Sequence, residues 1–249
     1  MTALILALIA GAVVGLMLGA LGGGGSVLAV PALIYLLGFT PASATTASLI
    51  IVTATSLTAL YAHARAGRVR WKAGAAFAAA GILPAAVAGA ASAHLPQAVL
   101  TLAFAAIAAL SAIKMLRPAY TARPKDGGVR PGKAAGAGAA LGMLTGLLGV
   151  GGGFLAVPAL VTVLAFEMDA AVGTSLLIIT ANSLASLATR SGTAASVDWA
   201  LIGPFIGTAI LGAWDGKRIA AKVSAPHLQR IFAVVLLAVA AFMLADAVT

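Results

Sequence analysis

Apolar residues in this chain come in long runs, not in amphipathic stripes. The first four runs are Thr2–Gly38, Ala42–Ala62, Ala73–Ala93 and Gln97–Leu116. The second four are Ala134–Ala165, Ala170–Ala188, Trp199–Trp214 and Leu228–Val248. Such lengths match the ~20 residues an α-helix needs to cross a hydrocarbon core of ~30 Å. The pattern predicts an all-α polytopic membrane protein. A soluble helical domain would show polar positions recurring at helical period, and these runs do not. The segment Arg117–Lys133, "RPAYTARPKDGGVRPGK", collects proline, glycine and charge and reads as a solvated linker. The expected organisation is a first transmembrane repeat over 1–116, a cytoplasmic linker over 117–133 and a second repeat over 134–249.

Two runs are interrupted at their middle. "LGGGGSVLAVPAL" spans Leu21–Leu33, and "LGVGGGFLAVPAL" spans Leu148–Leu160. Glycine inside a helix costs about 0.5–1 kcal/mol relative to alanine, so a cluster of them predicts a break. The two stretches are copies. At a shift of 127 residues, Gly22–Leu33 matches Gly149–Leu160 at nine of twelve positions, and Ala44–Leu60 matches Ala171–Leu187 at nine of seventeen. The chain is therefore read as two repeats of about four hydrophobic segments each.

Charge sets their relative direction. Membrane proteins keep lysine and arginine on the cytoplasmic side. If both repeats pointed the same way, 11 basic residues would lie inside and 4 outside; if they are inverted, 14 lie inside and Arg190 alone lies outside. Inversion is favoured, which puts both termini outside. It requires the first segment of each repeat to cross twice or not at all. Leu4–Leu21 makes a leg of ~27 Å and Val27–Gly38 one of ~18 Å at about 1.5 Å per residue. The expectation is a hairpin: a helix, a glycine break and a short returning helix. The two broken segments would meet near the membrane midplane. A single bent crossing stays open as the alternative.

Non-helical backbone at membrane depth survives only inside protein or beside a water-filled cavity. A helix that starts after such a break presents free N–H groups and a positive dipole end, an anion site without a charged side chain. The candidate binding residues are therefore Gly22, Gly23, Gly24, Gly25 and Ser26 in the first half, with Gly149, Gly151, Gly152 and Gly153 in the second. Pro31 and Pro158 each free one more carbonyl. The following run of each half adds hydroxyls and an amide: Thr46, Ser48 and Thr55, then Thr174, Ser175 and Asn182. Thr55 aligns with Asn182. A lone small residue in such a helix serves packing; the duplicated break, followed each time by Ala-Val-Pro, points to a transport site.

Composition narrows the remaining classes. The chain is 62% hydrophobic and 8% charged, against about 25% charged in soluble domains. Its net charge of +9 falls in short loops between runs, so no nucleic-acid partner is expected. There is no cysteine, which removes disulfides and thiolate sites. The N-terminal run lacks a basic n-region and reads as a retained membrane segment. No carboxylate sits deep in a run, and His63, His94 and His227 lie at run ends without metal spacing. His63, aligned with Arg190, reads first as a satisfied interfacial histidine, with a titrating group at a helix end as the alternative. No metal, cofactor, catalytic constellation or P-loop is expected, so the chain is read as neither an enzyme nor an ATP-driven pump.

"GALGGGGSVLAVPALIYLLGFTPASATTASL" and "GLLGVGGGFLAVPALVTVLAFEMDAAVGTSL" resemble the paired signatures of the TauE/SafE sulfite exporter family, the TSUP permeases. The motif positions are Gly22, Gly24, Gly25, Pro31, Gly151, Gly152, Gly153 and Pro158. Thr46-Ala47-Ser48 departs from Gly173-Thr174-Ser175 in the other half. The resemblance implies a multi-pass inner-membrane permease for sulfite, sulfonates or sulfoacetate. The expected partners are a small anion and the lipid bilayer; a coupling ion (proton or sodium) and a homodimer stay open. A passive anion channel and a non-transporting membrane assembly protein are the competing readings.

Overall fold

The computed structural model describes residues 2–92, 97–116, 131–148, 153–162, 164–189 and 198–248. The described residues form helices without strands: α1 (Thr2–Leu21), α2 (Ala29–Pro31), α3 (Pro41–Arg65), α4 (Trp71–Ser92), α5 (Gln97–Leu116), α6 (Pro131–Leu148), α7 (Gly153–Thr162), α8 (Met168–Thr189), α9 (Trp199–Ala220) and α10 (Ala225–Val248). Among these, α1, α3, α4, α8 and α10 contain stretches long and apolar enough to span a bilayer. Such helices satisfy every backbone group within one segment, which a bilayer core demands. Trp199 and Trp214 are half exposed near the two ends of α9. They stand ~22 Å apart along the axis at about 1.5 Å per residue, the placement of interfacial aromatic anchors.

α1 ends where the glycines begin. Gly22 takes φ +62°, a left-handed conformation that a side chain disfavours. The chain then runs through a 3-10 helix over Gly22–Leu28, the single α-turn α2, and a π turn over Ala32–Leu36. Pro31 has no N–H to give, so a regular α ladder cannot continue through it. The 3-10 stretch rises ~2.0 Å per residue instead of ~1.5 Å. Seven residues thus cover ~14 Å, and a short leg reaches further across the core than an α-helix of equal length.

Glycine contacts fix helix directions. Gly11, Gly15 and Gly19 of α1 lie against the backbone of Phe205, Ala209 and Ala213 of α9, so both helices ascend together. Gly138 and Gly142 of α6 lie against Phe77 and Gly81 of α4, again in parallel. In all these places an added Cβ would collide with a neighbouring carbonyl. Small residues here let helix backbones touch, the main source of attraction where lipid is as apolar as any side chain. Ser56 meets Thr180, while Arg70, just past α3, meets Thr174. α3 and α8 therefore run antiparallel. Lys217, in the last turn of α9, reaches the Ala62 carbonyl near the end of α3. Hence α1, α3 and α9 end on one side. A chain that ascends in α1 and again in α3 must descend between them, and the Gly22–Leu36 leg is that descent. Its residues Leu28, Pro31, Ala32 and Tyr35 line a groove with Leu6, Ile9, Ala10 and Val13 of α1.

The packing partners are exchanged between halves. α1 packs on α9, α6 on α4, α3 on α8, α5 on α10, and the 3-10 segment on α7. Mapping each element onto its copy in the other half turns every pair into another pair or into itself. The copies α3 and α8 are antiparallel, the geometry an inverted repeat requires. The basic groups follow. Arg65 at the end of α3, Arg68 and Arg70 in the turn after it and Lys72 at the start of α4 share one end of the bundle with Lys217 and Arg218 in the last turn of α9 and Lys222 just past it.

Candidate functional site

α3 and α8 are the most enclosed of the described spanning helices. Thr46, Ser48, Thr53, Thr55 and Ser56 of α3 are buried, as are Thr174, Ser175, Thr180, Asn182 and Ser183 of α8. So many polar groups in the interior of a membrane bundle need partners, because lipid supplies none. Several satisfy themselves. The Thr53 hydroxyl donates to the Leu49 carbonyl at 2.7 Å, Thr55 to Ile51 at 2.6 Å, and Thr180 to Leu176 at 2.8 Å. Thr55, expected to face a ligand, spends its proton on its own helix in this state.

Ser175 does something different. Its Oγ accepts the Gly23 N–H at 3.1 Å and donates to the Val172 carbonyl at 2.7 Å. A Cβ at Gly22 would lie 2.7 Å from the same Oγ and 2.8 Å from the Val172 carbonyl oxygen. The first turns of α8 therefore clasp the glycine break of the other half, and only glycine fits under the clasp. Ser26, fully buried, donates to the Gly23 carbonyl at 2.7 Å and closes the 3-10 turn from inside. Gly22, Gly23, Ser26 and Ser175 thus form one contact set. Gly24 and Gly25 continue the same 3-10 segment.

The other expected residues fall around this core. Thr174 is fully buried and accepts the Arg70 N–H at 3.0 Å, which ties α8 to the turn after α3. Asn182 is buried with its side-chain oxygen unpartnered, and Ser183 beside it has an unpartnered hydroxyl. These open acceptors lie on the helix that carries Ser175. Thr46 and Ser48 are buried on α3. Gly153 opens α7. Gly149, Gly151 and Gly152 lie outside the described residues.

Two features could not be read from the sequence. The hydroxyls of Ser56 and Thr180 are 2.9 Å apart, a buried bridge between α3 and α8. Both positions were visible as polar residues in apolar runs, but only the fold pairs them. His63 is the larger surprise. It is 2% exposed and neither ring nitrogen has a hydrogen-bond partner, whereas its run-end position suggested a satisfied interfacial group. The ends of α1 and α9 close over it, which its own run could not reveal.

Comparison with known proteins agrees with a transport assembly. Residues 7–243 match the family model described as Sulfite exporter TauE/SafE. A "Probable membrane transporter protein" of Xylella fastidiosa (strain 9a5c) is 34% identical over 248 residues, covering 97% of this chain and 95% of that protein. A protein of the same description from Xylella fastidiosa (strain Temecula1 / ATCC 700964) is 32% identical over 249 residues, with the same coverage of both.

Proposed function

Since this chain belongs to the TauE/SafE sulfite exporter family of membrane transporters, we propose that it is a secondary permease for small sulfur-containing oxyanions: sulfite, sulfonates or sulfoacetate. It works in the cell inner membrane by alternating access. The observation that carries this reading is the glycine break at Gly22–Gly25, held by Ser175 of the opposite half. A 3-10 stretch of seven residues is longer than 3-10 helices usually run, and such stretches mark hinges. Release of the Gly23 N–H from Ser175 would free one backbone amide, and turning the Ser175 proton away from the Val172 carbonyl would free a second donor. Both can then bind an oxyanion. Its counterpart in the second half is the segment Gly149–Gly153.

The moving parts follow from the packing. The halves are interleaved, so one repeat cannot rock against the other as a block. The units that move are cross-half pairs, α1 with α9 and α6 with α4, turning about the α3–α8 centre. The basic end faces the cytoplasm and the termini face outward.

Reconstituted vesicles test this. Sulfite or sulfonate flux saturates, is accelerated by substrate on the trans side, and falls in Gly24→Leu and Gly151→Leu protein that still folds. Flux that never saturates and shows no trans-acceleration would instead identify a channel. No flux, with a stable co-purifying partner, would identify an assembly protein. A cysteine placed near Lys217 labels from the cytoplasmic side and one near Arg190 from the outside; the opposite result overturns the orientation.

A further inference from the structure

His63 is buried with two unpartnered ring nitrogens. A polar group left so deep in a folded protein asks for a missing partner. Four elements surround it. The Gly19 carbonyl of α1 faces the ring without meeting hydrogen-bond geometry. Lys217 of α9, Arg68 of the turn after α3, and Asp169 of α8 are near enough for their charges to act on it. The Lys217 ammonium donates to the carbonyl of Ala62, the residue before His63, and keeps further donor capacity. Arg68 sits 3.8 Å from Asp169, a loose ion pair at a partly exposed side chain. The two cations outnumber the single carboxylate. An imidazole N–H without an acceptor, an ammonium with spare protons and a guanidinium fork are together what an oxyanion lacks in lipid.

The place is also apt. One turn of α8, Val172–Ser175, borders both sites. Val172 and Ser175 hold Gly22 and Gly23, Gly173 lies against the Arg68 backbone, and Thr174 takes the Arg70 N–H. We propose that His63, Lys217 and Arg68 form a receiving station for sulfonate-type oxyanions at the basic end of the bundle, one α8 turn from the glycine break. The proposal rests on the permease reading above. The anion takes the vacant imidazole N–H, draws its charge balance from Lys217 and Arg68, and passes to the break when Ser175 lets go.

Sided flux and chemical footprinting decide it. In oriented vesicles, His63→Leu and Arg68→Gln raise the half-saturation concentration for methanesulfonate offered at the basic face about ten-fold, the effect of losing a charge-assisted bond. Half-saturation at the opposite face stays within about two-fold, while the maximal rate from the basic face rises to compensate, because the ratio of Vmax/KM in the two directions is fixed. Equal change at both faces, or none, overturns the station. The second measurement needs no variant and no transport. Methanesulfonate well above half-saturation slows acetylation of Lys217 in the purified full chain about five-fold, as ligand occupancy requires. Exposed Lys222 at the same end reacts as before. Unchanged labelling of Lys217 means that the ring nitrogens are met by water alone, and the station falls. Wild-type protein without flux defeats the permease reading, and Lys217 protection then still decides the station.

Discussion

Gly22→Ala tests the clasp that joins the two halves. Alanine at φ +62° costs about 1–2 kcal/mol by itself. Its Cβ would stand 2.7 Å from Ser175 Oγ and 2.8 Å from the Val172 carbonyl, closer than packed atoms sit. Ser175 must therefore retreat and drop the Gly23 N–H it now accepts at 3.1 Å. A buried donor left unpaired costs about 1–3 kcal/mol more. The expected loss is about 2–5 kcal/mol, or one and a half to more than three decades in the folding equilibrium at ~1.4 kcal/mol per decade. Reversible unfolding in mixed micelles, driven by rising dodecyl sulfate, measures it. A double-mutant cycle isolates the cause. Ser175→Ala already forfeits the hydrogen bond and removes one of the two obstacles. In that background Gly22→Ala should cost only about 1–2 kcal/mol, the backbone part. A single-mutant cost below ~0.5 kcal/mol, or costs that agree in both backgrounds within ~0.5 kcal/mol, would refute the clasp.

Other expectations follow from particular contacts. Gly142→Ala should push α6 off the Gly81 backbone and destabilise by about 1–3 kcal/mol, whereas Gly136→Ala on the same helix meets no atom and should be neutral or stabilise by up to about 1 kcal/mol; the same unfolding assay ranks the two, and an inverted order sinks the α4–α6 interface. Thr180→Ala removes the hydroxyl that bridges to Ser56 and should cost about 1 kcal/mol. Thr58→Ala, whose hydroxyl bonds the Ala54 carbonyl of its own helix, should cost clearly less, and equal losses would deny the bridge its value. Asp198 accepts the Ala200 N–H at the start of α9, so Asp198→Ala should cost about 0.5–2 kcal/mol while Asp198→Asn keeps most of the stability.

The helices were legible because a bilayer leaves a chain few other ways to satisfy its backbone. The run Gln97–Leu116 coincides with α5, and Trp71–Ser92 extends the expected Ala73–Ala93 run by a turn boundary at most. α9 continues past Trp214 to Ala220, because Asp215–Arg218 end the apolar run without ending the helix. The break was legible at Gly22–Gly25, since four glycines have no other use in a spanning segment. Its 3-10 and π character was not: which carbonyl each N–H chooses after Pro31 depends on what packs against the leg. Partnerships were hidden for a related reason. Most of the described helices lack a polar stripe, so no face announces its neighbour. The spacing of Gly11, Gly15 and Gly19 marks an interface, yet nothing local says that Phe205, Ala209 and Ala213 fill it. Gly23 and Ser175 were both candidates, but their bond spans 152 positions.

The exchange of partners between halves bears on how the protein is made. When α1 through α5 leave the ribosome, the glycine ridge of α1 has no α9 to lie on, and acyl chains must cover it for as long as the remaining residues take to emerge. A nonsense codon after the linker would strand that ridge permanently, a mark that membrane quality-control proteases can read. Split genes carrying the halves separately should yield stable product only when both are expressed together.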